Sequence, residues 1–210
     1  MAYSKTQIFN LALGEIPAQR VTVDTENTPQ ARACRQFYQA VLDETLEAHD
    51  WRIARRQVAL SQLPTNDRDT EWLYAYSLPS TCARPLLLVP QWAQTPTGFA
   101  LRLEDILAQS PGAEPLAYDV QGTTLYTNEA DAVLRYVRND VAASDLPPLL
   151  AKAVYLELAA RASGLLTSDE RKKQGLLSLA YQALQTAKAG DRNAVPSKME
   201  HTPDWISARA

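Results

Sequence analysis

The chain has 210 residues, 46% hydrophobic and 21% charged, with a net charge of -3 and a pI near 5.5. That composition excludes global disorder, leaves room for one core plus a small appended subdomain, and argues against a protein whose main task is gripping a phosphate backbone. The longest purely aliphatic stretch, Leu86 to Val89, falls far short of the roughly 18 to 20 residues of a membrane span, and the polar start, Met1 to Gln7, is unlike a signal peptide, so no membrane partner and synthesis in the cytosol are expected.

Ser4 with Gln7 forms a capping-box pattern; Ile8, Leu11 and Ala12 follow at helical spacing, and Gly14 stands where a left-handed cap would close a short first helix. After a polar connector, Thr28-Pro29 opens a second helix whose stripe of Cys34, Phe37, Tyr38, Val41, Leu42, Thr45 and His49 runs to about Asp50 or Trp51. The middle of the chain, interrupted by Pro64, Pro79, Pro85 and Pro90, reads as short strands and loops. Strands are predicted over Arg84 to Val89 and Leu116 to Val120. A turn at Gly122-Thr123 leads into another that Val133 to Val137 is expected to pair with, while Gly98 to Ser110 is ambiguous between a strand, a short helix and both. Beyond Asp140, Ser144 or Asp145 is the expected cap of a helix with Pro147-Pro148 in its first turn, and Thr167 with Glu170 a capping box for the last helix, ending near Gly190. The short turn between them predicts antiparallel packing, eased by Ala153, Ala159, Ala160 and Ala180.

The predicted fold class is therefore mainly α with a β-rich insertion (α+β): a small antiparallel helical bundle, a short-stranded β subdomain at one end, and an extended C-terminal tail. The expected divisions are residues 1–60 for the N-terminal helices, 61–143 for the β insertion, 144–190 for the helical hairpin and 191–210 for the tail.

Few constellations suggest chemistry. Asp43, Glu44, Glu47 and Asp50 place carboxylates at helical spacing, as general acid-base catalysis would require, but they lie opposite the apolar stripe and read as a solvated face. His49 and His201 are the only histidines, and Cys34 and Cys82 are isolated, so no metal-ligand spacing arises and no metal or cofactor is expected. The cysteines read as packed free thiols, although spacing leaves a disulfide between them open. Arg52, Arg55 and Arg56 form the most basic stretch, with Trp51 beside them; the readings are a solvated face or an intersubunit ion-pair surface first, then contact with nucleic acid or an acidic partner surface. Trp72, Tyr74 and Tyr76 have the period of a strand with one aromatic face, suited to core packing or to docking a partner. Trp205 in the tail is either part of a frayed terminus or an anchor for a neighbouring subunit.

Several of these segments carry a resemblance. Leu11-Ala12-Leu13-Gly14-Glu15-Ile16, Cys34-Arg35 with Phe37-Tyr38, and Leu46-Glu47-Ala48-His49-Asp50-Trp51 leading through Ala54-Arg55-Arg56 to Val58-Ala59-Leu60 come first. Trp72 to Pro79, Leu125-Tyr126-Thr127-Asn128, Leu134-Arg135-Tyr136-Val137, Leu146-Pro147-Pro148 and Leu158-Ala159-Ala160-Arg161 follow. In this order, across nearly the whole chain, they resemble the tail tubular protein A and head-to-tail adaptor family of short-tailed bacteriophages; one departure is Asp50, where many relatives carry proline.

The resemblance implies a non-enzymatic virion protein at the head-tail junction. It would form a dodecameric ring of copies of itself between the portal protein and a nozzle protein similar to tail tubular protein B, with genomic DNA passing through the lumen during ejection without sequence-specific binding. On that reading Trp51 is a packing hinge; Arg52, Arg55, Arg56 and Trp205 are candidate intersubunit or portal contacts; and Trp72, Tyr74 and Tyr76 are candidates for docking the nozzle or a neighbour. Two other function classes stay open from the residues alone: a tail-associated cell-wall or polysaccharide hydrolase using Asp43, Glu47 or Asp50, and a DNA-binding module using Trp51 and Arg52 to Arg56.

Overall fold

The computed structural model describes residues 2–90, 116–167 and 169–194. Within them the chain is a mixed α+β protein with four α-helices and two antiparallel sheets. Helix α1 (Lys5–Gly14) begins with the full capping box: the Ser4 hydroxyl accepts from the Gln7 amide and the Gln7 side chain accepts from the Ser4 amide. Helix α2 (Pro29–Glu47) is capped by Thr28, with proline in its first turn. Asn10 fixes the connector between them by donating to the Val21 carbonyl and accepting from the Val21 amide.

Seven strands follow: β1 (Arg55–Ala59), β2 (Ser61–Gln62), β3 (Tyr74–Ser77), β4 (Cys82–Pro90), β5 (Tyr118–Gln121), β6 (Thr124–Thr127) and β7 (Ala132–Arg138). They divide into one sheet of order β1-β7-β4 and another of order β2-β3-β6-β5. The chain crosses from the first sheet to the second at Leu60, whose amide donates to the Ala132 carbonyl. In the β5–β6 hairpin Gly122 is the first of two loop residues and has φ +61°, a left-handed value that glycine meets without a Cβ penalty. Pro85 sits beside a register irregularity in β4, which among the described strands pairs with β7 alone and so lies at an edge of that sheet, where a missing N–H is tolerated.

A 3-10 turn (Ala143–Asp145) leads to α3 (Pro148–Leu166), and α4 (Glu170–Asn193) returns along it. Ala153, Ala159, Ala160 and Ala180 are all buried, as close helix approach requires. At the other end of the pair, a Cβ placed on Gly190 would lie 3.0 Å from Leu149 Cδ1, so the missing side chain lets α4 come near the start of α3.

Strand β7 organises the core. Its Val137 joins the cluster built from the helices, which includes Ile8, Leu13, Val41, Leu46, Leu150 and Leu158. On its opposite face Ala132, Leu134 and Tyr136 join Leu88 with Tyr76 and Leu125 of the second sheet. The β1-β7-β4 sheet is thus covered on both faces, and six of the seven residues of β7 are buried.

Several expectations need correction. Val133 to Val137 does not pair with β6, because β3 and β5 occupy both edges of β6; β7 lies between β1 and β4 instead. Gly14 is the last helical residue of α1 and makes no left-handed cap, and Glu15 ends the helix in the right-handed region. Neither Ser144 nor Asp145 caps α3, which starts behind Pro147 without a side-chain cap. Asp169, not Thr167, caps α4 by accepting from Lys172, while the Thr167 hydroxyl donates to the Ser163 carbonyl at the end of α3. Helix α2 ends at Glu47, strands begin at Arg55 instead of 61, and α4 runs past 190 to Asn193. Gly98 to Ser110, His201 and Trp205 lie outside the described residues.

Leu134 is fully buried at the centre of β7. Leu134→Ala should cost about 2–5 kcal/mol of unfolding free energy through lost transfer energy and a residual cavity. Urea denaturation checks it, the expected result being a lower midpoint at unchanged m-value.

Candidate functional site

The segment from His49 to Arg56 joins α2 to β1, and its geometry is built around an aromatic ring and an ion pair. Once α2 has ended at Glu47, Trp51 folds back under it. Its ring is 1% exposed and its indole N–H donates to the Thr45 carbonyl at 2.8 Å, satisfying an acceptor near the helix end. His49 packs edge-on against Trp51 with ring centroids 4.8 Å apart. The Trp51 carbonyl accepts from the Ala54 amide, and the Ala54 carbonyl accepts from the Arg138 amide, tying the bend to the end of β7. Trp51 is a packing junction between the helices and the first sheet, and no hinge motion is needed to explain its placement.

Arg55 and Asp50 form a two-pronged pair, Nε to Oδ1 at 2.8 Å and Nη2 to Oδ2 at 2.6 Å. Arg55, expected as an intersubunit or portal contact, is only 8% exposed and pairs with Asp50, so within the chain it stitches the bend. Arg52 and Arg56 are exposed. Arg56 donates to the Arg55 carbonyl at 2.9 Å, and Arg52 borders an apolar groove of about 320 Å³ walled by Trp51, Ile53, Pro148, Leu149 and Ala187.

The aromatic run divides. Tyr76, for which core packing and docking are both open in sequence, is 1% exposed, donates its hydroxyl to the Glu129 carbonyl at 2.9 Å and fills the cluster between the sheets. Tyr74 is half-buried with its ring 6.4 Å from that of Tyr76, and half-buried Trp72 precedes β3 instead of lying on it. Beside them Arg68 donates to Asp119 at 2.5 Å and to Glu71, and stands 5.0 Å over the Tyr126 ring, fixing a loop to β5 and β6.

The carboxylates grouped in sequence do not converge. Asp43 accepts from Gln39, Glu44 from Arg161 and Asp50 from Arg55, while Glu47 is exposed. No group of three metal-ligating side chains occurs among the described residues. The cysteines are free; burial pushes the Cys34 thiol up to about 12 and the Cys82 thiol to about 11, so both stay protonated near neutrality. No described helix is long and apolar enough to cross a membrane.

Arg135 was not singled out in the sequence. It is 4% exposed, and among the described residues neither of its terminal guanidinium nitrogens has a hydrogen-bond partner. Burial first, and then the charge of Arg55, pull its pKa down to about 10, against the opposing pull of Asp50. The signal was present in Ala132-Val133-Leu134-Arg135-Tyr136-Val137: a lone cation within an apolar run that a strand covered on both faces must bury.

Two outcomes are expected at this junction. Trp51→Ala should cost about 3–5 kcal/mol, whereas Trp51→Phe, which keeps a ring but leaves the Thr45 carbonyl without its indole donor, should cost about 1–3 kcal/mol; urea denaturation of both variants separates packing from hydrogen bonding. His49, 3.5 Å from Asp191, has a pKa lowered from its ordinary 6.5, mainly by burial, with Asp191 opposing and Arg192 reinforcing. Because the unfolded chain takes up that proton more readily, the stability His49 contributes is present above pH 6.5 and is lost as pH falls through the folded value. Denaturation midpoints at pH 7.5 and 5.5 should show the loss, with a smaller difference in His49→Gln.

Comparison of the chain with protein-family models and with curated proteins returned no match.

Proposed function

We propose that this chain is a structural adaptor subunit of a short-tailed bacteriophage, closing into a ring between the portal and the tail nozzle with a channel for DNA. On this reading the four helices form a small antiparallel bundle with the strands mounted at one end, so that body and end offer separate surfaces to neighbour, portal and nozzle. The ordered resemblance along the chain supplies the identity of the partners, and one observation supports the assembly role.

That observation is an exposed apolar pair on α4, Leu177 and Tyr181, one turn apart on the same flank of the helix. The helix already buries Leu176, Ala180, Ala183 and Ala187. Leu177, Leu179 and Tyr181 nevertheless remain 37%, 50% and 65% exposed, and Leu177 and Tyr181 border a groove of about 340 Å³ that reaches Glu44 on α2 and Glu157 on α3. A helix with one satisfied apolar stripe has no need of an exposed leucine and tyrosine one turn apart beside it, and clustered exposed apolar residues mark association surfaces, whereas Leu179 stands alone on the other flank. Tyrosine is a frequent anchor there because it contributes a large contact area at small entropic cost. A ring of identical subunits repeats one such patch against a different complementary patch until it closes.

The test mixes purified chain with DNA-filled, tailless heads and images the portal vertex by cryo-electron microscopy. A ring should form with the wild type. With Tyr181→Glu, occupancy at equal concentration should fall about tenfold or more while the urea midpoint stays unchanged. Wild-type protein that leaves the portal bare would overturn the proposal, as would full occupancy with Tyr181→Glu for the role of this face.

A further inference from the structure

Alternation along β7 puts Arg135 on the face it shares with Val133 and Val137, opposite the face where Leu134 and Tyr136 meet the second sheet. Across the register Gln57 of β1 stands on one side and Leu87 of β4 on the other. Val137 belongs to the helical cluster and Val133, Leu87 and Val89 to a smaller one, so the guanidinium is set among apolar side chains. Arg55 is paired with Val137, one step along the same face, and its fork is filled by Asp50. Among the described residues Asp50 is hydrogen-bonded to Arg55 and acts on Arg135 only through its charge, so the surplus positive charge is on Arg135, whose Nη1 and Nη2 have no hydrogen-bond partner there.

An uncompensated buried cation is costly, and an arginine cannot escape that cost by deprotonating near neutrality. Replacing such a group with an apolar residue of similar size is often neutral or stabilising. The planar fork fits one class of ligand better than any other: an oxyanion that accepts from two N–H groups at once. The burial selects further, because a guanidinium 4% exposed can be reached by a small ion during local opening but not by a polymer backbone or a protein surface.

We propose that Arg135, with Arg55 at its side, is the binding site of a small oxyanion of the phosphate, sulfate or carboxylate class. The ion supplies the missing negative charge over the face of the β1–β7 pair that carries both arginines, and because Asp50 and Arg55 belong to the bend that carries Trp51, its binding tightens the junction of helices and sheet. This does not depend on the proposed adaptor role.

The experiment is thermal unfolding of the full chain in phosphate, sulfate or acetate against chloride at equal ionic strength, with calorimetric titration of phosphate alongside. At tenfold saturation the most effective oxyanion should raise the wild-type Tm by about 3–5 °C over chloride. Arg135→Leu should match or exceed the wild-type Tm in chloride and lose the oxyanion response. Arg135→Lys, which keeps the charge and loses the fork, should bind phosphate at least about tenfold more weakly by calorimetry. The ranking of the three salts identifies whether a tetrahedral or a planar anion fits. A wild-type Tm that does not distinguish any of them from chloride, or an oxyanion response undiminished in the Arg135 variants, overturns the proposal.

Discussion

The structure depends on one strand being covered twice. β7 is the wall between the helical cluster and the cluster enclosed by the two sheets, so each successive side chain must satisfy a different neighbour. A strand in that position gains hydrophobic stabilisation on both faces but has little tolerance for a register slip, since a shift of one residue would exchange its two faces. The surrounding elements follow from this. β1 and β4 flank it, Leu60 hands the chain on to the second sheet from its end, and the Ala54–Arg138 hydrogen bond sets where α2 joins.

The Trp51 bend is the complement of that wall. The C-terminus of a helix leaves carbonyl groups without intrahelical donors, and here the Trp51 indole answers one while its ring closes the core beneath the helix. Asp50 then holds Arg55 in a fixed geometry at the first position of β1. Of the residues that in sequence suggested acid-base chemistry or DNA contact, Asp50, Trp51 and Arg55 are consumed in joining two parts of the fold. Glu47, Arg52 and Arg56 remain at the surface, together with the leucines and tyrosine of α4.

What could be read beforehand was what local interactions decide. The Ser4–Gln7 box and Thr28-Pro29 locate two helix starts because a cap is made by residues three apart, and the alanines of α3 announce close packing by their size. Strand partners were not legible in the same way. Nothing within Val133 to Val137 tells whether its hydrogen bonds go to a strand a few residues away or to Arg55–Ala59, since pairing is settled by which edges are free and which faces need cover. Gly14 and Thr167 misled because each has the residue type of a cap without the backbone geometry of one. Of the site, Trp51 was legible as a junction, whereas the fate of Arg55 turned on the burial of its ion pair with Asp50, and Arg135 required knowing that both faces of β7 are covered.

The account makes the helices and the first sheet a single cooperative unit joined through β7 and Trp51, the rigid body that an assembling subunit would need if its exposed surfaces are to be held in fixed relation. Native-state hydrogen exchange in increasing urea tests this directly. The account predicts that the amides of β7 and of α3 open only with global unfolding, their exchange free energies converging at the same value. Exchange of β7 through a separate, lower-energy opening while α3 stays protected would contradict it.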